Sequence, residues 1–201
     1  MRLSVILAHP SRKSFNYAIA RTVVQVLKEN GHAVRFHDLY REDFDPVLPA
    51  RELSKNSKLP ALIGQHCREI AQAEGLVLVH PNWWGEPPAM LKGWVDRVLR
   101  AGVAYDFPPG PAGAAGLPIK LLKIKQALVL NTSDTSAERE RTVLGDPLQC
   151  LWKNTLTYCG VKTVHRTMYR IIVTSSPQQR SAWLHDVRRR VARLFPSKDS
   201  V

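Results

Sequence analysis

Leu3-Ser4-Val5-Ile6-Leu7-Ala8 runs directly into His9-Pro10-Ser11-Arg12-Lys13-Ser14-Phe15-Asn16, and the join between the two decides the fold. The first six residues are an apolar run long enough for a buried strand and too short for a helix. From Phe15 the apolar positions change period: Phe15, Ile19, Val23, Val26 and Leu27 follow helical spacing. Ser14 stands where an N-cap belongs and Gly31 where a helix terminates. A strand that turns straight into a helix is the first half of a βαβ unit, and the chain repeats the pattern.

Ala33 to His37 reads as a second strand, Leu76 to Val79 as a third and Ala127 to Leu130 as a fourth, with a fifth inside Lys162 to Val173. Helices are expected over Ala61 to Glu74 (stopped by Gly75), Ala89 to Arg100 and Pro147 to Tyr158. A last helix opens on Ser176-Pro177-Gln178-Gln179, a capping-box pattern with proline at the first helical position. Asp38 to Pro60 is an irregular connection of mixed charge, and Pro108 to Pro118, rich in Pro, Gly and Ala, is a surface loop. Short unbroken apolar strands separated by helices predict an α/β fold: a five-stranded parallel sheet with helices on both faces. In such sheets ligands bind beyond the carboxyl ends of the strands.

Composition narrows the class. Hydrophobic residues make up 44% of the 201 and charged residues 23%, which is globular. The three cysteines, Cys67, Cys150 and Cys159, lack metal-ligand spacing and are expected to be buried free thiols. No run approaches the 18 or so apolar residues of a membrane span, and Met1-Arg2-Leu3 leads into a strand and not a signal peptide. A cytoplasmic location is expected. The net charge of +12 suits nucleic acid, an acidic membrane surface or anionic ligands. Its densest cluster, Arg188-Arg189-Arg190 with Arg193, alternates with Val187, Val191 and Leu194. With no nucleic-acid motif beside it, it reads as the solvated outer face of a terminal helix, and no nucleic-acid partner is expected.

Three loops at strand ends carry the chemistry. After the first strand, Ser11, Ser14 and Asn16 with Arg12 and Lys13 meet a helix N-terminus, which suits phosphate. Neither GxxxxGK[ST] nor GxGxxG occurs there. An ordinary capped helix beside a chance basic pair is an equal reading. After the third strand comes His80-Pro81-Asn82-Trp83-Trp84-Gly85-Glu86-Pro87-Pro88. Large aromatics in a surface loop need a partner; a planar ring is one, a hydrophobic plug or dimer contact another. Trp94, spaced with Met90, Leu91 and Val98, belongs to the core or an interface. After the fourth strand, Asn131-Thr132-Ser133-Asp134-Thr135-Ser136-Ala137-Glu138 is a polar turn, with Thr135 and Glu138 spaced as a capping box.

At these residues the sequence resembles the flavodoxin-like NAD(P)H:quinone oxidoreductases, the family of DT-diaphorase, the modulator-of-drug-activity B proteins and the ancillary subunits of Kef potassium efflux systems. The resemblance rests on LAHPSRKSFNYAI, on PNWWGEPPAMLKGWVDRVLRAGVAY, and on NTSDT followed by GDPLQCLWKN. It implies one flavodoxin-like domain over residues 1–195 with a short tail at 196–201. It also implies a bound flavin, NAD(P)H as hydride donor and a quinone as two-electron acceptor. His9, Ser14, Phe15 and Asn16 would hold the flavin phosphate and ribityl chain. Pro81, Asn82, Trp83, Trp84 and Gly85 would lie along the isoalloxazine, and Thr132, Ser133, Asp134 and Thr135 at its pyrimidine edge. Tyr105 and Phe107 would reach the substrate pocket of a second copy, so a homodimer is implied, with the Met90 to Leu99 helix in its interface.

The irregular stretches Asp45 to Pro60 and Pro108 to Pro118 offer cover for an adenine and favour FAD over FMN. A metal is not expected. The family's alternative role is a flavin-binding regulatory subunit of a potassium efflux transporter, with membrane contact only through that partner. One departure stands out. In the DT-diaphorase branch a tyrosine and a histidine after the fourth strand help the reduced flavin carry negative charge. Here Leu144 precedes Gly145-Asp146, and Asp134 and Thr135 replace a glycine pair. The residues alone assign no catalytic acid or base; backbone N–H groups near Thr132 to Asp134, a helix N-terminus or Arg139 are the substitutes available.

Overall fold

The computed structural model describes residues 1–108 and 118–197. Five strands form the sheet: β1 (Arg2–Leu7), β2 (Ala33–Asp38), β3 (Gly75–Pro81), β6 (Gln126–Ser133) and β7 (Thr163–Arg170). Their order is β2-β1-β3-β6-β7 and every pairing is parallel. A separate two-stranded antiparallel pair, β4 (Tyr105–Asp106) with β5 (Ile119–Lys120), was not expected from the sequence. It flanks 109–117, so most of the Pro108 to Pro118 loop lies outside the described residues.

The helices are α1 (Phe15–Glu29), α2 (Ala61–Gln72), α3 (Ala89–Val98), α4 (Ala137–Thr142), α5 (Pro147–Tyr158) and α6 (Pro177–Leu194). Side chains alternate across the sheet. Leu3, Val5 and Leu7 pack with Val77, Val79, Leu128 and Leu130 under α1 and α6. Ile6 and Ala8 pack with Leu76, Leu78, Ala127 and Val129 under α2, α3 and α5. Two apolar clusters, one on each face, explain why the strands read as unbroken runs. On α6, Val187 and Val191 are fully buried while Arg189 and Arg193 face out. Trp94 is core, 1% exposed.

Caps define the helix ends. Ser14 Oγ accepts from Tyr17 N–H at α1, and Ser176 Oγ from Gln179 N–H at α6, each cap contributing about 1 kcal/mol. At α4 the cap is Ser136, accepting from Arg139 N–H, not Thr135. Gly75 stops no helix; it opens β3. A Cβ there would sit 2.4 Å from Leu3 Cδ1 and 2.7 Å from Phe195, so close packing requires the glycine. Of the cysteines, Cys67 and Cys159 are buried, but Cys150 is exposed on α5.

The Asp38 to Pro60 connection is irregular yet anchored. It buries Leu39 and Phe44 and contains a 3-10 turn at Ala50–Glu52. Glu52 is buried there against Arg97 of α3, with bonds of 2.7 and 3.0 Å. No helix among the described residues is long and apolar enough to cross a membrane.

Candidate functional site

The order β2-β1-β3-β6-β7 reverses direction between β1 and β3, and a ligand crevice is expected beyond that switch point. A cleft of about 360 Å³ lies there. Its walls come from the three strand ends: His9, Ser11, Lys13, Ser14, Phe15 and Asn16 after β1; Pro81, Asn82 and Trp83 after β3; Thr132, Ser133 and Asp134 at the end of β6. Ile172 and Arg180, between β7 and α6, complete it.

Each wall is locally determined. Ser11 N–H donates to His9 Nδ1 at 3.0 Å, so the His9 proton sits on Nε2. Burial holds this imidazole below its ordinary value of 6.5, against the opposing charge of Asp38. A neutral N–H donor results. Lys13 is exposed at the same end, and α1 directs its first N–H groups and positive dipole end at the cleft. Phe15 turns its ring into the core against Tyr169 and Trp183. Asn16 is 2% exposed and donates through Nδ2 to Thr132 Oγ1 at 2.7 Å, which ties the first loop to the third. Arg180 is fixed by Ser175 Oγ at 2.8 Å and Ile172 O at 3.0 Å. Among the described residues lining the cleft, two cations, Lys13 and Arg180, thus face one acid, Asp134.

The strands run further than their apolar cores. Polar residues expected in loops, His80-Pro81 and Asn131-Thr132-Ser133, are the last residues of β3 and β6, paired in register as His80 with Asn131 and Pro81 with Thr132. Asn82 N–H donates to Thr132 O at 2.7 Å, and its side-chain Nδ2 to both oxygens of Glu140, which is 1% exposed. Glu140, Ile172 and Arg180 carry no local sequence signal for this role; only the pairing of distant segments reveals them.

Several expected site residues lie elsewhere. Trp83 and Glu86 exchange backbone hydrogen bonds of 3.0 Å across a two-residue turn. Trp84 and Gly85 both have positive φ, 57° and 80°, as a type I′ turn demands. That geometry throws Trp84 fully into solvent, off the cleft wall. Gly85 turns toward α5, where a Cβ would stand 2.9 Å from Pro147. Thr135 lies past the cleft, its N–H bonded to Ser133 Oγ at 3.0 Å. Tyr105 and Phe107 do not line this cleft; their rings meet edge to face, and Tyr105 meets Tyr158 at the end of α5 in the same way. Leu144 is 42% exposed just beyond α4, and Arg139 is exposed on α4.

A second polar cluster lies at the end of β2. His37 Nδ1 meets Glu42 at 2.9 Å and Nε2 meets Glu69 at 2.6 Å. His66 Nε2 meets Glu42 at 3.1 Å. Trp94 Nε1–H donates to His66 Nδ1 at 3.0 Å. Because indole only donates, the His66 proton is on Nε2, aimed at Glu42. The triad His37, Glu42 and His66 has metal-ligand proximity, but this tautomer fills the would-be ligand position with a proton.

A parallel sheet in this order, with its cleft at the switch point, defines a flavodoxin-like protein. The family model described as a flavodoxin-like fold matches residues 1–193, and the chain belongs to the flavodoxin-like NAD(P)H:quinone oxidoreductase family. It is 35% identical over 185 residues, 90% of this chain and 89% of the relative, to a Haemophilus influenzae protein named an uncharacterized NAD(P)H oxidoreductase. It is 30% identical to the rat ribosyldihydronicotinamide dehydrogenase [quinone], over 91% of this chain and 87% of that one. Among solved structures, an NAD(P)H:quinone oxidoreductase from Methanothermobacter marburgensis superimposes with a TM-score of 0.81 at 30% identity, covering 96% of each chain.

Proposed function

We propose that the protein is a flavin-dependent oxidoreductase that takes hydride from NAD(P)H and reduces a quinone-like acceptor by two electrons at the switch-point cleft. The observation that carries this reading is the cleft itself: a cationic helix N-terminus, a hydrogen-bonding rim and an aromatic wall, all at the strand ends of a chain related to NAD(P)H oxidoreductases.

The residues fit a flavin. Asn16 Oδ1 and Asn82 Oδ1 are buried and accept from no group among the described residues, and a buried acceptor of this kind is costly unless a donor meets it. Ribityl hydroxyls and ring N–H groups are such donors. Lys13, Ser11, Ser14 and the α1 N-terminus would hold a phosphate, with neutral His9 donating from Nε2. Trp83 would flank the ring, and Thr132 to Asp134 its polar edge. The extension of the cleft to Ile172 and Arg180 adds a second cation, which supports FAD over FMN. When bound, the flavin accepts a hydride and passes two electrons on; the protein orients, neutralises charge and limits water.

Tyr105 and Phe107, away from their own cleft and with Phe107 exposed, suit a homodimer in which they serve the partner's cleft. The transporter-subunit alternative draws on the basic outer face of α6. Steady NAD(P)H-driven reduction of a soluble benzoquinone by the flavin-loaded protein is the expected result. Flavin uptake without turnover would remove the quinone part and leave a binding role.

A further inference from the structure

His80 is fully buried one residue before the cleft, and its surroundings fix where its proton sits. Trp152 Nε1–H donates to His80 Nε2 at 3.0 Å, and Asn131 Nδ2 approaches the same nitrogen at 2.8 Å. The orientation of the Asn131 amide is set by Arg166 Nη1, which donates to Asn131 Oδ1 at 3.3 Å. Arg166 is itself held by Gln149 Oε1 at 3.0 Å and by the Asp146 carboxylate. Indole, amide NH₂ and guanidinium donate only, so Nε2 is the acceptor and the proton is on Nδ1. Nδ1 lies 2.8 Å from the Pro81 carbonyl oxygen.

The consequence falls on one peptide unit. The carbonyl of Pro81 is bound by His80, and the N–H on the other side of the same peptide, that of Asn82, is bound by Thr132 O at 2.7 Å. Both ends of the Pro81–Asn82 peptide plane are pinned, and Glu140 holds the Asn82 side chain. This is the cleft wall contributed by β3.

We propose that His80 is a positioning residue: Asn131 and Trp152 hold it as the Nδ1–H tautomer, and that N–H locks the Pro81–Asn82 peptide in the orientation the cofactor cleft requires. Burial, with Arg166 nearby, also lowers the imidazole to about 4, against the opposing Pro81 bond, so the same neutral tautomer persists across the working pH range. The functional consequence rests on the flavin reading of the cleft; the tautomer and the pinned peptide do not.

Two substitutions separate the two ends of the ring. In His80→Asn the amide nitrogen falls near the place of Nδ1 and keeps the donor to Pro81, while the acceptor for Trp152 is lost. In His80→Gln the amide oxygen falls near the place of Nε2 and keeps that acceptor, while the donor to Pro81 is lost. His80→Gln should weaken flavin binding by about tenfold, alter the visible circular dichroism of bound flavin and speed hydrogen exchange at the Asn82 amide. His80→Asn should keep flavin affinity within about twofold and keep Asn82 protected, while lowering the melting temperature more. Flavin affinity that tracks melting temperature through both variants, or an unchanged Asn82 amide in His80→Gln, would overturn the proposal. In the unmodified protein, ring nitrogen-15 shifts should report a protonated Nδ1 and a bare Nε2, and the opposite tautomer overturns it without any variant. Absence of flavin binding by the unmodified protein would sink the flavin reading alone; the exchange and tautomer measurements would still decide the role of His80.

Discussion

Removing the Glu52 carboxylate should expose how the irregular connection after β2 is held. Arg97 Nη2 and Nε grip Glu52 at 2.7 and 3.0 Å, with side chains only 2% and 0% exposed. Glu52→Ala strands the Arg97 guanidinium in the interior, and breaking a buried pair from one side costs about 3–5 kcal/mol. The exposed Asp45 carboxylate at 3.3 Å offsets about 0–1 kcal/mol of that. The net loss is about 2–5 kcal/mol, and at roughly 2–4 °C per kcal/mol for a chain of this size the melting temperature should fall by roughly 4–20 °C. Arg188→Ala is the control, because Arg188 meets Glu29 at the same 2.7 Å with side chains 40% and 46% exposed; it should change little. The double variant Glu52→Leu/Arg97→Met should recover much of the loss, since a well-packed apolar pair can replace a buried ion pair. A scanning-calorimetry result in which Glu52→Ala falls no further than Arg188→Ala would refute the burial argument.

The cluster at the end of β2 predicts a pH profile. Burial opposes the charged form of His37, but Glu42 and Glu69 outweigh it and raise the group above 6.5, so its stabilisation is fully present below pH 6.5 and is lost as pH rises through the raised value. Glu42, also opposed by burial, is pulled from 4.5 to about 2 by His37 and His66, so its contribution is present above 4.5 and lost as pH falls toward 2. The stability difference between wild type and His37→Gln should therefore be greatest between about pH 4.5 and 6.5, and a difference that keeps growing above neutral pH would contradict this. Thr132→Val should cost about 1–3 kcal/mol in urea unfolding by leaving the Asn16 amide without its acceptor. Asn16→Leu/Thr132→Val should recover part of it, and equal losses in the single and double variants would show that the 2.7 Å bond is not what ties the two loops.

The fold was legible because its signals are local: the apolar run of β1, the Ser14 cap and Gly31 stop of α1, and the Ser176 cap of α6 depend on residues a few positions apart. The ends of β3 and β6 were not. His80 and Asn131 look like loop residues because their partners, Trp152 and Arg166, lie far along the chain. Nothing local says that Glu52 and Arg97, opposite charges 45 residues apart, share one buried site. The cleft was legible at His9, Ser14 to Asn16, Pro81 to Trp83 and Thr132 to Asp134, which stand at strand ends whatever the details. Trp84 was not, because which of two adjacent tryptophans faces the cleft depends on a turn with two positive φ values. Arg180 was missed because only its contacts with Ser175 and Ile172 aim it at the site.

The flavin carried by the purified protein tests the central claim most directly. Denaturing it and separating the released chromophore should yield FAD in about one equivalent per chain, and protein stripped of chromophore should take FAD up again with quenching of flavin or tryptophan fluorescence. Release of FMN would move the cofactor assignment and leave the cleft reading intact. A colourless protein that takes up neither flavin would contradict the account.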